Sequence, residues 1–264
     1  MAHRLATTLG AIAVLAVHGA GLAQGAPAAD PARGRAGFAA LTPEQRALPF
    51  AAVNPAQPEG DRLEAPRRLA AALVAADGYQ PRQVTDVGSF TGEFLQAFMV
   101  QFPSAKGQWT EPVDTNRSVA EARLGQYSGR IAYRIGCPGR DLADNCVPAG
   151  TDVLLTSWLS IHQDLAGIRR FYKAAYAIVP KDGWVINIDH VVAPDGPWQK
   201  RLEAARRIAA DQKIVAQVEG PPVHHAEFIA PGLDQQVQAL RDAGFTQIHV
   251  AWQRLDTVLL MARK

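Results

Sequence analysis

Val84-Thr85-Asp86-Val87-Gly88-Ser89-Phe90-Thr91-Gly92 runs directly into Glu93-Phe94-Leu95-Gln96-Ala97-Phe98-Met99. An apolar run ends on an acid, a glycine-rich turn follows, and a helix-like stretch begins. Glycines let a backbone turn sharply and approach a ligand closely, and the first N–H groups of a helix lack partners within it. Strand, tight turn and helix start therefore form a phosphate- or nucleoside-binding layout. The same short pattern also arises as a plain strand-to-helix connection, so its surroundings matter.

Downstream, strand and helix patterns alternate. The spacing predicts strands over 83–87, 106–110, 130–135, 152–157 and 184–189, with helices over 93–101, 118–124, 164–179 and 197 to about 218. Asp152-Val153-Leu154-Leu155-Thr156-Ser157 is a nearly unbroken apolar run of the kind buried on both faces of a parallel sheet. A helix over 233–243, stopped by Gly244, precedes two final strands at 247–252 and 257–262. The expected architecture is α/β, a Rossmann-like doubly wound seven-stranded sheet. It is mostly parallel with one antiparallel edge strand, and helices cover both faces.

The 264 residues are 48% hydrophobic and 20% charged, enough apolar content for a full core. A formal net charge of +2 without a basic cluster gives no reason to expect a nucleic-acid partner. Residues 1–23 differ in kind. Met1-Ala2-His3-Arg4 is a basic head, Leu5 to Val17 is apolar apart from Thr7 and Thr8, and Gly21-Leu22-Ala23 supplies a small-residue exit. These are the three parts of a secretory signal peptide. An uncleaved membrane anchor and a wrongly chosen start codon are the alternatives. Residues 24–65 then read as a Pro/Ala-rich spacer and extension, with a short helix over 42–48, and 66–264 as the main domain. The expectation is an exported protein, periplasmic or secreted, without stable membrane association after cleavage. If the start or signal assignment is wrong, it is cytoplasmic. Export makes a disulfide between Cys137 and Cys146 plausible, because the chain then meets oxidants.

The order of these elements over residues 82–264 resembles the class I S-adenosylmethionine-dependent methyltransferases. Their first motif, an acid followed by Gly-x-Gly-x-Gly, corresponds to Asp86-Val87-Gly88-Ser89-Phe90-Thr91-Gly92. Their acid at the end of the second strand, which holds the ribose hydroxyls, corresponds to Glu111. An acid after the third strand, near the adenine, corresponds to Asp141. Val179-Pro180-Lys181-Asp182-Gly183-Trp184 resembles the turn before their fifth strand, and Ala243-Gly244-Phe245 precedes the final pair as in the family. The resemblance implies S-adenosylmethionine as cofactor, held by Asp86, Gly88, Ser89, Thr91, Gly92, Glu111, Asp141 and Ser157. It implies methyl transfer to a small molecule.

Methyl transfer from a sulfonium is an in-line displacement, in which a base can take the acceptor's proton. Histidine suits that task near neutrality. His162, after the fourth strand, is the leading candidate, with a helix-start or pocket-lining histidine as the bland reading. His224, with His225 in the segment that commonly forms the substrate lid, is the second candidate. Asp189, His190 and His224 are a conceivable metal set, but no metal is assigned. One departure stands out: Phe90 replaces the middle glycine of the first motif. It either turns aside or crowds the ligand. In the second case the chain is an exported non-catalytic binding module that keeps the fold.

Overall fold

The computed structural model describes residues 63–137, 142, 145–160, 163–191, 196–211, 231–254 and 256–264. The expected signal peptide, the spacer and the helix over 42–48 lie outside them. In chain order the elements are α1 (Glu64–Ala76), β1 (Gln83–Val87), α2 (Glu93–Gln101), β2 (Lys106–Glu111), α3 (Arg117–Leu124) and β3 (Ile131–Ile135). They continue with β4 (Val153–Ser157), α4 (Leu165–Ile178), β5 (Trp184–His190), α5 (Gly196–Asp211), α6 (Leu233–Ala243), β6 (Gln247–Arg254) and β7 (Thr257–Arg263).

The strands form one seven-stranded sheet in the order β3-β2-β1-β4-β5-β7-β6. β1 to β5 run parallel, and β7 is antiparallel to both β5 and β6. The antiparallel pair expected at the edge is there. Its reversed strand, β7, lies one place in, and β6 closes the sheet.

Burial explains the order. Every residue of β4 is buried, and β5 is buried up to His190, so both strands need a cover on each side. The edge strands β3 and β6 expose much of their length. On one face Phe94, Phe98, Trp109, Leu124, Ile186 and Met261 pack with α1 and α2. On the other, Val87, Leu154, Val185 and Leu260 meet Ile168, Phe171 and Tyr172 of α4 and Leu240 of α6. Consecutive residues of one strand serve opposite cores, as Leu259 and Leu260 do, which is the two-residue alternation of a pleated strand.

Helix α4 shows how local sequence meets this demand. Asp164 caps its start by accepting from the Gly167 N–H at 2.7 Å. Ile168, Phe171, Tyr172 and Ala175 then lie on one face at helical spacing and are all buried. Among the described residues no helix is long and apolar enough to cross a membrane.

The chain leaves β1 toward β2 and β3, then returns to β4 on the other side of β1. This reversal opens a crevice at the carboxyl ends of β1 and β4, where open α/β sheets bind ligands.

Candidate functional site

The glycine turn sits at that crevice. Gly88, with φ of 67°, donates its N–H to the Thr110 carbonyl at 3.1 Å, and the Ser89 N–H reaches the same oxygen at 3.3 Å. The turn thus leans back over the end of β2. A Cβ added to Gly88 would lie 3.7 Å from the Ser157 carbonyl, so the ends of β1 and β4 are in close approach. Phe90 adopts φ of 48°, in the left-handed region where a bulky side chain is rare. Its backbone is held twice: its N–H donates to Glu111 Oε1 at 2.5 Å, and its carbonyl accepts from Trp109 Nε1 at 2.9 Å. Gly92 starts α2 with φ of 81°, and a Cβ there would come within 2.9 Å of Leu124 Cδ1. Only glycine fits both constraints.

Two acids face this turn from the ends of β1 and β2. Asp86 is fully buried, and its Oδ2 accepts from Ser89 Oγ at 2.6 Å and from the Leu95 N–H at 3.2 Å. Its Oδ1 is buried without a hydrogen-bond partner. Burial pushes the Asp86 carboxyl up to about 6, against the lowering effect of the Ser89 hydroxyl and the Arg67 charge. Glu111 is 6% exposed. Burial pushes its carboxyl up to about 8, opposed by the Phe90 N–H and reinforced by the Asp86 charge. Among the described residues the second oxygen of Glu111 has no hydrogen-bond partner. Each acid therefore carries one oxygen committed to the turn and one not committed to it.

Ser89 and Thr91 spend their hydroxyls within the protein, Ser89 on Asp86 and Thr91 on the Glu93 carboxylate. What they offer a ligand is backbone. Ser157 is buried at the end of β4, next to Trp158, whose backbone has φ of 58°. The Trp158 ring stacks on His190 at 4.4 Å between centroids. His190 Nδ1 lies 3.0 Å from Thr257 Oγ1 and 3.6 Å from Asp256 Oδ1. Beside it the fully buried Asp189 accepts from the Ser160 N–H at 2.5 Å, from the Ser160 hydroxyl, and from the His190 N–H at 2.9 Å. Burial lifts Asp189 to about 6.

The structure thus brings together Asp86, Gly88, Ser89, Thr91, Gly92, Glu111 and Ser157. Asp141, His162 and His224 lie outside the described residues, and among those residues no group of three His, Cys, Asp or Glu could hold a metal ion. Two participants escaped the sequence reading. Trp109 reads as a core residue of β2, and its indole N–H grip on Phe90 has no local signal. Asp256 reaches His190 from the turn between β6 and β7, across a distance in sequence that no spacing pattern covers.

Cys137 and Cys146 form a disulfide, with Cα atoms 5.9 Å apart, within the range for an undistorted bridge. The Cys137 N–H donates to the Glu111 carbonyl at 3.1 Å, so the bridge adjoins the ribose-side acid of the expected site.

No protein-family model matches the chain, and no curated protein matches it in sequence. Solved structures do match in fold. A protein of Bordetella parapertussis described as a possible exported protein aligns with a TM-score of 0.59 at 17% identity, over 85% of this chain and 74% of that one. An O-methyltransferase family protein from Burkholderia thailandensis aligns at 0.55 and 17% identity, over 77% and 56%. Human N-acetylserotonin methyltransferase in complex with SAM aligns at 0.52 and 14% identity, over 76% and 52%. The chain spans little more than half the length of these two methyltransferases. At such identities the likeness establishes the Rossmann-like methyltransferase fold.

Proposed function

We propose that this chain is an S-adenosylmethionine-dependent methyltransferase acting on a small molecule. The observation that carries the proposal is Glu111. It is a buried acid at the end of β2, joined through the Phe90 N–H to the glycine turn of β1, with its second oxygen open to a ligand hydroxyl. The unpartnered Oδ1 of Asp86 supports the same reading, because a buried oxygen without a donor fits a ligand ammonium group. Gly88 to Gly92 would accept the amino-acid end through backbone, and Ser157 would border it from β4. A loop over 137–146 that includes Asp141 would flank the adenine.

When bound, the sulfonium supplies an alkyl electrophile. The chain's own tasks are to orient donor and acceptor, exclude water and take the acceptor's proton. We assign the proton to His162, which follows β4 in sequence, with His224 as the second candidate.

One observation favours a second reading, a non-catalytic module that keeps the fold. Phe90 stands where the family has glycine, and its N–H already occupies one oxygen of Glu111. Calorimetry with S-adenosylhomocysteine separates the two. The enzyme reading expects binding, and Glu111→Ala should weaken it about 10- to 100-fold, the cost of a lost charge-assisted hydrogen bond. No binding by a folded wild-type sample overturns the ligand assignment.

Export belongs to the same proposal. The head, apolar core and small-residue exit of residues 1–23 support it, as does a disulfide. N-terminal sequencing of protein from its native host should find residues up to about Ala23 missing. An intact Met1 in soluble cytoplasmic material would count against export.

A further inference from the structure

The two half-cystines hold β2 at two points. The Cys137 N–H donates to the Glu111 carbonyl at 3.1 Å, while the Cys146 carbonyl accepts from Gln108 Nε2 at 2.6 Å. Gln108 and Glu111 belong to the same strand, so the bridge closes a ring: Glu111 to Cys137, across the two sulfurs to Cys146, then to Gln108 and back along β2.

The segment containing this bridge links β3 to β4. Parallel strands need a crossover, usually a helix, but among the described residues of 136–152 there is none. The backbone there takes positive φ at Gly136, Leu142, Asn145 and Gly150, a sequence of turns with no repeating hydrogen bonds of its own. Leu142 and Val147 bury their side chains against Val87 and Leu154, beside the glycine turn. Little besides this packing and the covalent bridge orders the segment that covers the end of β2.

We propose that the Cys137–Cys146 bridge is a redox control on the nucleoside site: the oxidised protein binds, and reduction loosens the ring around Glu111 and weakens binding. This rests on the nucleoside reading above. The control couples through backbone. Opening the bridge frees Cys137 and Cys146 to leave Glu111 and Gln108, and the ligand must then bear the cost of reordering them. A dithiol is the reductant. One of its thiolates attacks Cys146 Sγ, the less buried partner at 7% against 1% residue exposure, and breaks the sulfur–sulfur bond. The Cys137 thiolate leaves and takes a proton. The reagent's second thiol then attacks the mixed disulfide, releasing Cys146 as a thiol and closing the reagent into its own disulfide. Two electrons and two protons pass from dithiol to protein.

The test uses the full chain and S-adenosylhomocysteine as the probe. Its affinity is measured by calorimetry on oxidised protein and in excess dithiothreitol, with thiols counted under denaturing conditions. Reduction should weaken binding at least ten-fold. By linkage, saturating ligand should make the bridge harder to reduce, moving its midpoint potential about 30 mV more negative for a ten-fold effect. A folded Cys137→Ser/Cys146→Ser protein should match the reduced affinity. Equal binding in both redox states overturns the coupling alone, as does a double variant that binds like oxidised wild type. Binding in neither state overturns the nucleoside reading beneath it. Loss of the far-UV circular dichroism signal on reduction also overturns a local control, since the bridge is then a staple of the whole fold.

Discussion

The Phe90 N–H donates to Glu111 Oε1 at 2.5 Å, tying the turn after β1 to the acid that ends β2. The residue that departs from the family motif is thus attached to the site through its main chain. A glycine substituted there keeps both the N–H and the carbonyl that Trp109 grips.

Phe90→Gly should therefore fold. Glycine relieves a left-handed backbone that costs a non-glycine residue about 1–2 kcal/mol, and it adds about 0.5–1 kcal/mol of unfolded-chain entropy. Net stability should shift by less than about 1 kcal/mol in thermal unfolding. Affinity for S-adenosylhomocysteine should change less than about ten-fold if the side chain turns aside. A wild type that does not bind, beside a Phe90→Gly that does, favours the non-catalytic module.

Gly92→Ala should be costly. The new Cβ would meet Leu124 Cδ1 at 2.9 Å on a backbone with φ of 81°, combining overpacking with left-handed strain. Each contributes about 1–2 kcal/mol, so the melting temperature should fall by roughly 4–12 °C. Pairing it with Leu124→Ala tests the division, because only the steric part can be recovered. A Gly92→Ala protein as stable as wild type would show that the turn has another way to close.

Much of this was legible because the periodic signals were strong. The runs at 83–87 and 152–157 are apolar for a physical reason, being buried on two faces, and the Asp86 to Gly92 turn is short enough to carry its own geometry. The end of β2 was legible through Glu111 because an acid is conspicuous after Gln108-Trp109-Thr110. What escaped depends on contacts between distant residues. The orphaned Oδ1 of Asp86, the Trp109 grip on Phe90 and the approach of Asp256 to His190 are properties of packing, and no local pattern encodes them. Hydroxyl assignment failed similarly: Ser89 and Thr91 read as ligand contacts, but both hydroxyls find acceptors within the turn.

Asp189 anchors the exit of β4. It is fully buried and accepts from both the N–H and the hydroxyl of Ser160, whose Oγ also accepts from Gln236 Nε2 at 3.0 Å. Asp189→Asn, with its amide NH2 turned to Ser160, would set a donor against donors. Leaving a buried donor unsatisfied costs about 1–3 kcal/mol, so stability at pH 8 should fall by that amount. Hydrogen exchange should quicken at the Ser160 amide before it does at β1. A fall in stability with unchanged exchange at Ser160 would move the effect elsewhere in the core.

Three buried acids set the pH dependence of the ligand-free protein. Asp86 and Asp189 are raised to about 6 and Glu111 to about 8, each mainly by burial. A carboxyl with a raised folded value holds its proton longer in the folded chain than in the unfolded one. Between about pH 4 and pH 8 the folded state therefore binds more protons, and these groups make stability fall as pH rises. Their contribution is fully present below the unfolded values and is lost as pH passes through the folded ones. Glu111→Gln keeps the shape and removes the titration, so it isolates one group. Relative to wild type it should gain at least about 1 kcal/mol between pH 5 and pH 8.5, since each ten-fold difference in proton affinity between folded and unfolded chain is worth about 1.4 kcal/mol. In paired thermal melts the gap should open by about 2–4 °C or more across that interval. A wild type that gains on the variant as pH rises would mean that Glu111 is charged and well paired when folded, and the buried, proton-holding acid described here would be wrong.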